Sequence, residues 1–292
     1  MNQRTRFIFD QMPIRGLHVQ AQEVWQHIVA RKNYPVAIRR ALGELLAAGA
    51  LLSSNLKIDG TLIVQVQGRG ILKMLVVEAT SEHTLRATAR WDETAAIADD
   101  ANLAQLLGDD GVFVLTVQPK NSEPWQGVVP LEGSSIAEML MNYMARSEQL
   151  ETRIMLAADD QQIGGLLLQR LPEETQDDDA WQHICTLADT LTAAELLNLD
   201  AQNVLYRLFH ETPPRVFPAE NLEFACTCSR GKVSDMLLLL GGEEVGSVVA
   251  QEGSITVDCD FCHEQYTFDE QDVHALFGMD IVAACKQTNK II

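Results

Sequence analysis

Long apolar runs are missing from this 292-residue chain. The longest candidates, Ala47 to Leu52 and Met236 to Leu240, fall far short of the roughly 18 residues that span a bilayer, which argues against a membrane partner. The opening Met1-Asn-Gln-Arg-Thr-Arg-Phe has neither the hydrophobic segment nor the small-residue cleavage site of an export signal, so a cytoplasmic protein with reduced thiols is expected. Basic residues are scarce. With 22 Lys and Arg against 41 Asp and Glu, the net charge of -19 repels phosphate backbones and speaks against nucleic-acid partners. Catalytic signatures are lacking as well: there is no G-x-S-x-G elbow, no H-E-x-x-H and no clustered His/Asp set. Gln67-Gly68-Arg69-Gly70 has no third glycine and no Walker lysine-serine, and it reads as a hairpin turn between strands. His18, His27, His83 and His183 are scattered and read as surface or satisfied polar positions. The protein is expected not to be an enzyme.

What the chain does have is cysteine in a pattern. Four of its six cysteines form Cys226-Thr-Cys228 and Cys259-Asp-Phe-Cys262. Two short chelating turns of this kind supply four soft ligands to one tetrahedral ion, so Cys226, Cys228, Cys259 and Cys262 read as a Zn2+ site. Other readings of the same residues are weaker. Resting disulfides would close a strained ring at C-x-C in a chain with no secretory signal. Haem attachment is formally matched by Cys259-Asp-Phe-Cys262-His263, but it would leave Cys226 and Cys228 without a role. A thiol oxidoreductase would place Cys259 at a helix N-terminus, whereas Asp258 and Asp260 flank it and raise a thiol pKa. His263 reads as a residue beside the site or on the surface. Around the cysteines, Ser229 caps a helix through Leu240 that Gly241 and Gly242 close, a second helix covers Glu243 to Ala250, and strands Ser254 to Val257 and Gln265 to Phe268 form a hairpin. Asp269 opens a last helix toward Phe277.

The remainder predicts an α+β fold. Strands are expected at Thr5 to Phe9 and Ile14 to Val19, then a helix over Val24 to Val29. From Val36 to Ala50 apolar residues recur at three and four, which predicts a helix with Arg39, Arg40 and Glu44 facing outward. A period of two then marks consecutive strands starting at Leu62, Leu72 and Leu85, with more at Val112 to Val117, Gly127 to Val129, Thr152 to Leu156 and Ile163 to Leu171. A short helix spans Leu103 to Leu107, and Ser135 with Glu138 predicts a capping box before Ile136, Met139, Leu140 and Tyr143. Beyond Pro172 comes an acidic run, Glu173 to Asp179. Behind it lies a helical layer with the stripe Trp181, Ile184, Cys185, Leu187, Ala188 and Leu191, a box of Thr192 and Glu195, and a third helix from Asp200 to Phe209. The expected division is residues 1–171 as the α+β core, 172–225 as a helical linker, and 226–292 as the small metal-binding domain, whose size lies below the roughly 70 residues at which a core suffices.

Several segments together are similar to the 33 kDa chaperonin family of bacterial heat-shock holdases. They are Leu56-Lys-Ile-Asp-Gly60 leading into Val64-Gln-Val-Gln-Gly68, Arg146 to Arg153, Gly164-Gly-Leu-Leu-Leu-Gln169, Arg207-Leu-Phe-His210, Phe224 to Arg230, Glu243-Glu-Val245 and Cys259-Asp-Phe-Cys262. The resemblance implies one Zn2+ per chain held by the four thiolates in a reduced, inactive monomer. It further implies that oxidant pairs Cys226 with Cys228 and Cys259 with Cys262, that zinc is released, and that the linker unfolds. The oxidised form would bind unfolding or aggregation-prone clients without ATP and would dimerise. Cys185 and Cys285 match no motif; small apolar packing is expected for the first and a spare tail thiol for the second. A zinc-stabilised binding module without redox switching is the competing expectation.

Overall fold

The computed structural model describes residues 1–54, 59–172 and 178–278. It divides into two units, Met1–Ala225 and Cys226–Ile292. Cys285, most of the acidic run and the start of the Leu56-to-Gly60 motif lie outside the described residues.

The first unit begins with an antiparallel pair, β1 (Asn2–Phe9) and β2 (Ile14–Ala21). Gly16 is required here, because a Cβ at that position would lie 2.0 Å from the Phe7 ring that crosses it. The Asn2 side-chain oxygen accepts from the backbone N–H groups of Gln22, Glu23 and Val24 and so caps α1 (Glu23–Val29). Helix α2 (Val36–Ser53) follows. Strands β3 (Gly60–Gln67), β4 (Leu72–Thr80) and β5 (Thr84–Trp91) form the expected meander, and α3 (Leu103–Leu107) leads to β6 (Val112–Pro119) and β7 (Trp125–Pro130). Next come α4 (Ile136–Tyr143), a π turn over Met144–Glu148, β8 (Thr152–Ala158) and β9 (Ile163–Arg170).

Two six-stranded sheets result. Along one path the first runs β10-β1-β2-β9-β8, with β11 also on β1; the second runs β12-β5-β4-β3-β6-β7. Helix α2 lies between them, with Leu17, Val19, Ile163 and Leu167 on one side and Val64, Leu75, Val77 and Ala87 on the other. Burial on both sides explains the small residues Ala47, Ala48, Gly49 and Ala50: a Cβ at Gly49 would lie 2.6 Å from Val77. The predicted outward face of α2 is therefore corrected. Arg39, Arg40 and Glu44 are half-buried; Arg40 donates to the Ala101 carbonyl at 2.8 Å, and desolvation raises the Glu44 carboxyl to about 7 against the pull of Arg40. The box at α4 is corrected too, since Ser135 accepts from the Glu138 N–H while the Glu138 carboxylate turns to Ser134.

The other face of the first sheet carries Phe7, Phe9, Ile14, Leu166 and Leu168, and three helices cover it: α5 (Asp178–Ala188), α6 (Ala193–Asn198) and α7 (Ala201–Phe209). Trp181, Ile184 and Ala188 of the predicted stripe are buried, and Cys185, Leu187 and Leu191 pack at its margin. Thr192 and Glu195 form the expected reciprocal cap. Gln20 donates to the Leu197 carbonyl. Beside it His18 departs from its expected satisfied or surface state: it is 2% exposed and Nε2 has no hydrogen-bond partner.

The segment after α7 escapes pattern reading. It adds β10 (Arg215–Val216) and β11 (Glu220–Asn221) to β1, and β12 (Glu223–Phe224) in parallel to β5. Arg4, with its side chain 3% exposed, pairs with Glu220 at 2.6 Å and donates to the Ala50 carbonyl and to Ser53 Oγ. Phe224 stacks with His27 and sits under the Arg31 guanidinium.

In the second unit, α8 (Arg230–Leu240) starts at the Ser229 cap and α9 (Gly242–Glu252) follows directly. The hairpin β13 (Ser254–Asp258) and β14 (Gln265–Asp269) leads into α10 (Glu270–Phe277), capped by Asp269. Leu237, Val245, Val249, Phe268 and Val273 make its small core. Of the apolar end of α8 only Leu237 is buried, and Leu239 is 88% exposed.

A four-thiol candidate metal centre

Two local structures bring the four thiols together. Cys226 and Cys228 lie in the non-helical stretch that ends at the Ser229 cap, and both bring their thiols to the same cluster. Cys259 to Cys262 form the turn of the β13–β14 hairpin. The His263 N–H donates to the Cys259 carbonyl at 2.8 Å, and the Cys259 N–H donates to the Glu264 carbonyl at 3.0 Å. His263 takes the left-handed conformation, φ 57°, with its side chain exposed. It closes the turn through its backbone and is not one of the clustered groups. Arg230 braces the arrangement by donating to the Thr267 carbonyl, pairing with Asp272 at 2.7 Å and lying over the Phe268 ring.

All four Sγ atoms lie within 4.8 Å of one another, half-buried, and form the only His/Cys/Asp/Glu group among the described residues able to hold a metal ion. Cys226 Sγ stands 3.7 Å from Cys259 Sγ, and Cys228 Sγ 3.3 Å from Cys262 Sγ. These separations far exceed a disulfide bond of about 2.05 Å. They are close to the edge of about 3.8 Å in a tetrahedron whose metal–sulfur bonds are about 2.3 Å. Charge points the same way. Desolvation raises the Cys259 and Cys262 thiols, and the crowding sulfurs add to the rise at Cys262; backbone N–H groups of Phe261 and Cys262 at Cys259, and of Glu264 at Cys262, oppose it. Four sulfurs so placed would become thiolates only with a cation among them, and the donor set fits one.

Sequence reasoning missed Tyr266, whose hydroxyl donates to Cys228 Sγ at 3.1 Å. Its one signal is position, four residues beyond Cys262 on the strand leaving the turn. Cys185 behaves as expected from packing: burial pushes its thiol up to about 11, so it stays protonated at neutral pH. No helix among the described residues is long and apolar enough to cross a membrane.

An α+β body joined to a four-thiol knuckle defines a class of protein in which a small unit able to hold a metal ion is appended to a larger folded core. Comparison with known proteins narrows the class. A family model described as Hsp33 protein matches residues 2–269. The 33 kDa chaperonin of Neisseria meningitidis serogroup A is 73% identical over 97% of this chain and 94% of its own length. That of Chromobacterium violaceum is 48% identical over 97% and 96%. The crystal structure of the Thermotoga maritima 33 kDa chaperonin superposes with a TM-score of 0.83 at 23% identity, covering 95% of this chain and 98% of the other, and establishes the shared fold. This chain belongs to the Hsp33 family.

Proposed function

We propose that the chain is a redox-regulated, ATP-independent holdase that binds unfolding proteins in the cytoplasm and keeps them from aggregating. The observation that carries this reading is the four-thiol cluster in a unit that buries only five apolar side chains among its described residues. Small units of this kind depend on a staple. Structural zinc contributes on the order of 10 to 16 kcal/mol in zinc-finger peptides, comparable with or above a typical domain's whole stability. Cys226, Cys228, Cys259 and Cys262 would hold one Zn2+ in the reduced monomer, and the ion when bound keeps them as thiolates.

Oxidation ends that role. Within each of the pairs Cys226–Cys228 and Cys259–Cys262, two thiolates give up two electrons to a peroxide and form an S–S bond; the peroxide takes up two protons and leaves as two waters. Two disulfides leave no thiolate to ligate, so the second unit loses its staple and melts. The linker, residues 172–225, then loosens and bares the covered sheet face of Phe7, Phe9, Ile14, Leu166 and Leu168 together with the stripe from Trp181 to Leu191. Apolar area of this size binds unfolded chains and supports the dimer of the oxidised form, while the charge of -19 keeps it soluble. Limited proteolysis tests the unfolding step: peroxide is expected to open cleavage between Glu173 and Arg215, and a linker as resistant as before sinks it. The competing reading, a zinc-stabilised binding module without switching, predicts that the metal is retained under peroxide.

A further inference from the structure

Tyr266 lies outside the four cysteines yet touches them. It pairs with Val257 across the β13–β14 hairpin, its ring packs at the edge of the small core, and its hydroxyl reaches Cys228 Sγ at 3.1 Å. A thiolate has no proton to offer, so in a ligated cluster this bond has one polarity, O–H to S. A divalent ion with four thiolates carries a net charge of about -2, and a donor aimed at one sulfur relieves part of it.

We propose that Tyr266 is a positioning residue of the thiol centre, donating to the Cys228 thiolate so that this sulfur is oriented toward the ion and blunted as a nucleophile. The proposal rests on the metal-centre reading above and adds to it a residue outside the four cysteines, whose hydroxyl shields the Cys228 sulfur from oxidant. Electron density drawn into an O–H···S bond is unavailable for attack on peroxide, and a bond to a charged acceptor amounts to about a tenfold effect or more in rate or affinity.

Full-length Tyr266→Phe keeps the ring and removes only the donor. In the cobalt-loaded chain the thiolate-to-metal charge-transfer band is expected to move to lower energy, because one sulfur's electrons are no longer held down. In the zinc-loaded chain, alkylation at Cys228 followed by peptide mass spectrometry is expected to speed up about tenfold relative to Cys262, and zinc transfer to a chelator to rise about 10- to 100-fold. Incorporation of 3-fluorotyrosine at position 266, a stronger donor of nearly the same shape, is expected to shift the band and the alkylation rate in the opposite direction, and it keeps the test decisive if the phenylalanine variant folds poorly. A band and a Cys228 rate that ignore both changes overturn the role of Tyr266. If the unsubstituted chain gives no thiolate-to-cobalt band at all, the metal-centre reading is overturned instead.

Discussion

Gly164 offers a way to lift the helical layer without touching a thiol. It sits on β9 facing α6, where an added Cβ would lie 2.6 Å from the Leu196 carbonyl oxygen and 3.1 Å from its carbon. These are backbone atoms and cannot rotate aside. Contacts between non-bonded atoms are comfortable near 3.5 Å, so α6 must retreat by roughly 0.5–1 Å. Such overpacking costs about 1–3 kcal/mol, and the neighbouring bond from Gln20 to the Leu197 carbonyl is stretched with it. If the cost falls on the docked state alone, Gly164→Ala raises the open population of the layer about 5- to 150-fold. Hydrogen exchange of the reduced, zinc-loaded protein reads this directly, with faster exchange expected over α5 to α7 and unchanged protection in α2. Gly165→Ala is the control: its Cβ would face the α2 side and meet the side-chain ends of Leu51 at 2.9 Å and Val19 at 3.1 Å. Exchange that stays at the parental rate in Gly164→Ala, or rises as much in Gly165→Ala, refutes the docking of this layer as the weak link.

Three further outcomes are expected. Burial holds His18 at about 4 with Asp200 pulling it up; a folded pKa below the ordinary 6.5 means that stability is full above pH 6.5 and is lost as the pH falls toward 4, by up to about 3 kcal/mol. Urea unfolding of His18→Leu at pH 5 and 7 should show a flatter pH dependence than the parent, and equal slopes would contradict the assignment. Glu44 behaves in the opposite sense, because a carboxyl raised to about 7 costs stability as the pH climbs from its ordinary value through 7; Glu44→Gln should gain roughly 2–3 kcal/mol at pH 8 and little at pH 5 in the same assay. Glu220→Ala strands the buried Arg4 guanidinium, and calorimetry should find the first unit destabilised by about 3–5 kcal/mol, whereas a loss below 1 kcal/mol would show the pair to be dispensable.

The parts legible in the sequence were those with a period or a cap. Alternation gave the longer strands of both sheets, the Thr192 and Asp269 caps set helix starts, and two cysteine pairs located the thiol cluster before any geometry. Helix α2 was found but its surroundings were not, since a stripe of Ile38, Leu42 and Leu45 announces one buried side, and only the run of small residues hints at a second sheet. Strands β10 to β12 have two residues each and carry no period; they exist because β1 and β5 offer edges to pair with. His18 and Tyr266 were silent for a related reason: the orphaned ring nitrogen and the hydroxyl on sulfur arise from segments distant in the chain or on another element of the knuckle.

The most direct test follows zinc release with a chromogenic chelator and light scattering by a thermally unfolding client in one sample, with the protein either reduced and zinc-loaded or pre-oxidised at elevated temperature. Suppression of aggregation by the oxidised form alone, rising in step with zinc release, is the expected result. Zinc that stays bound, or equal suppression by both forms, would make the four thiols a permanent staple and contradict the switch.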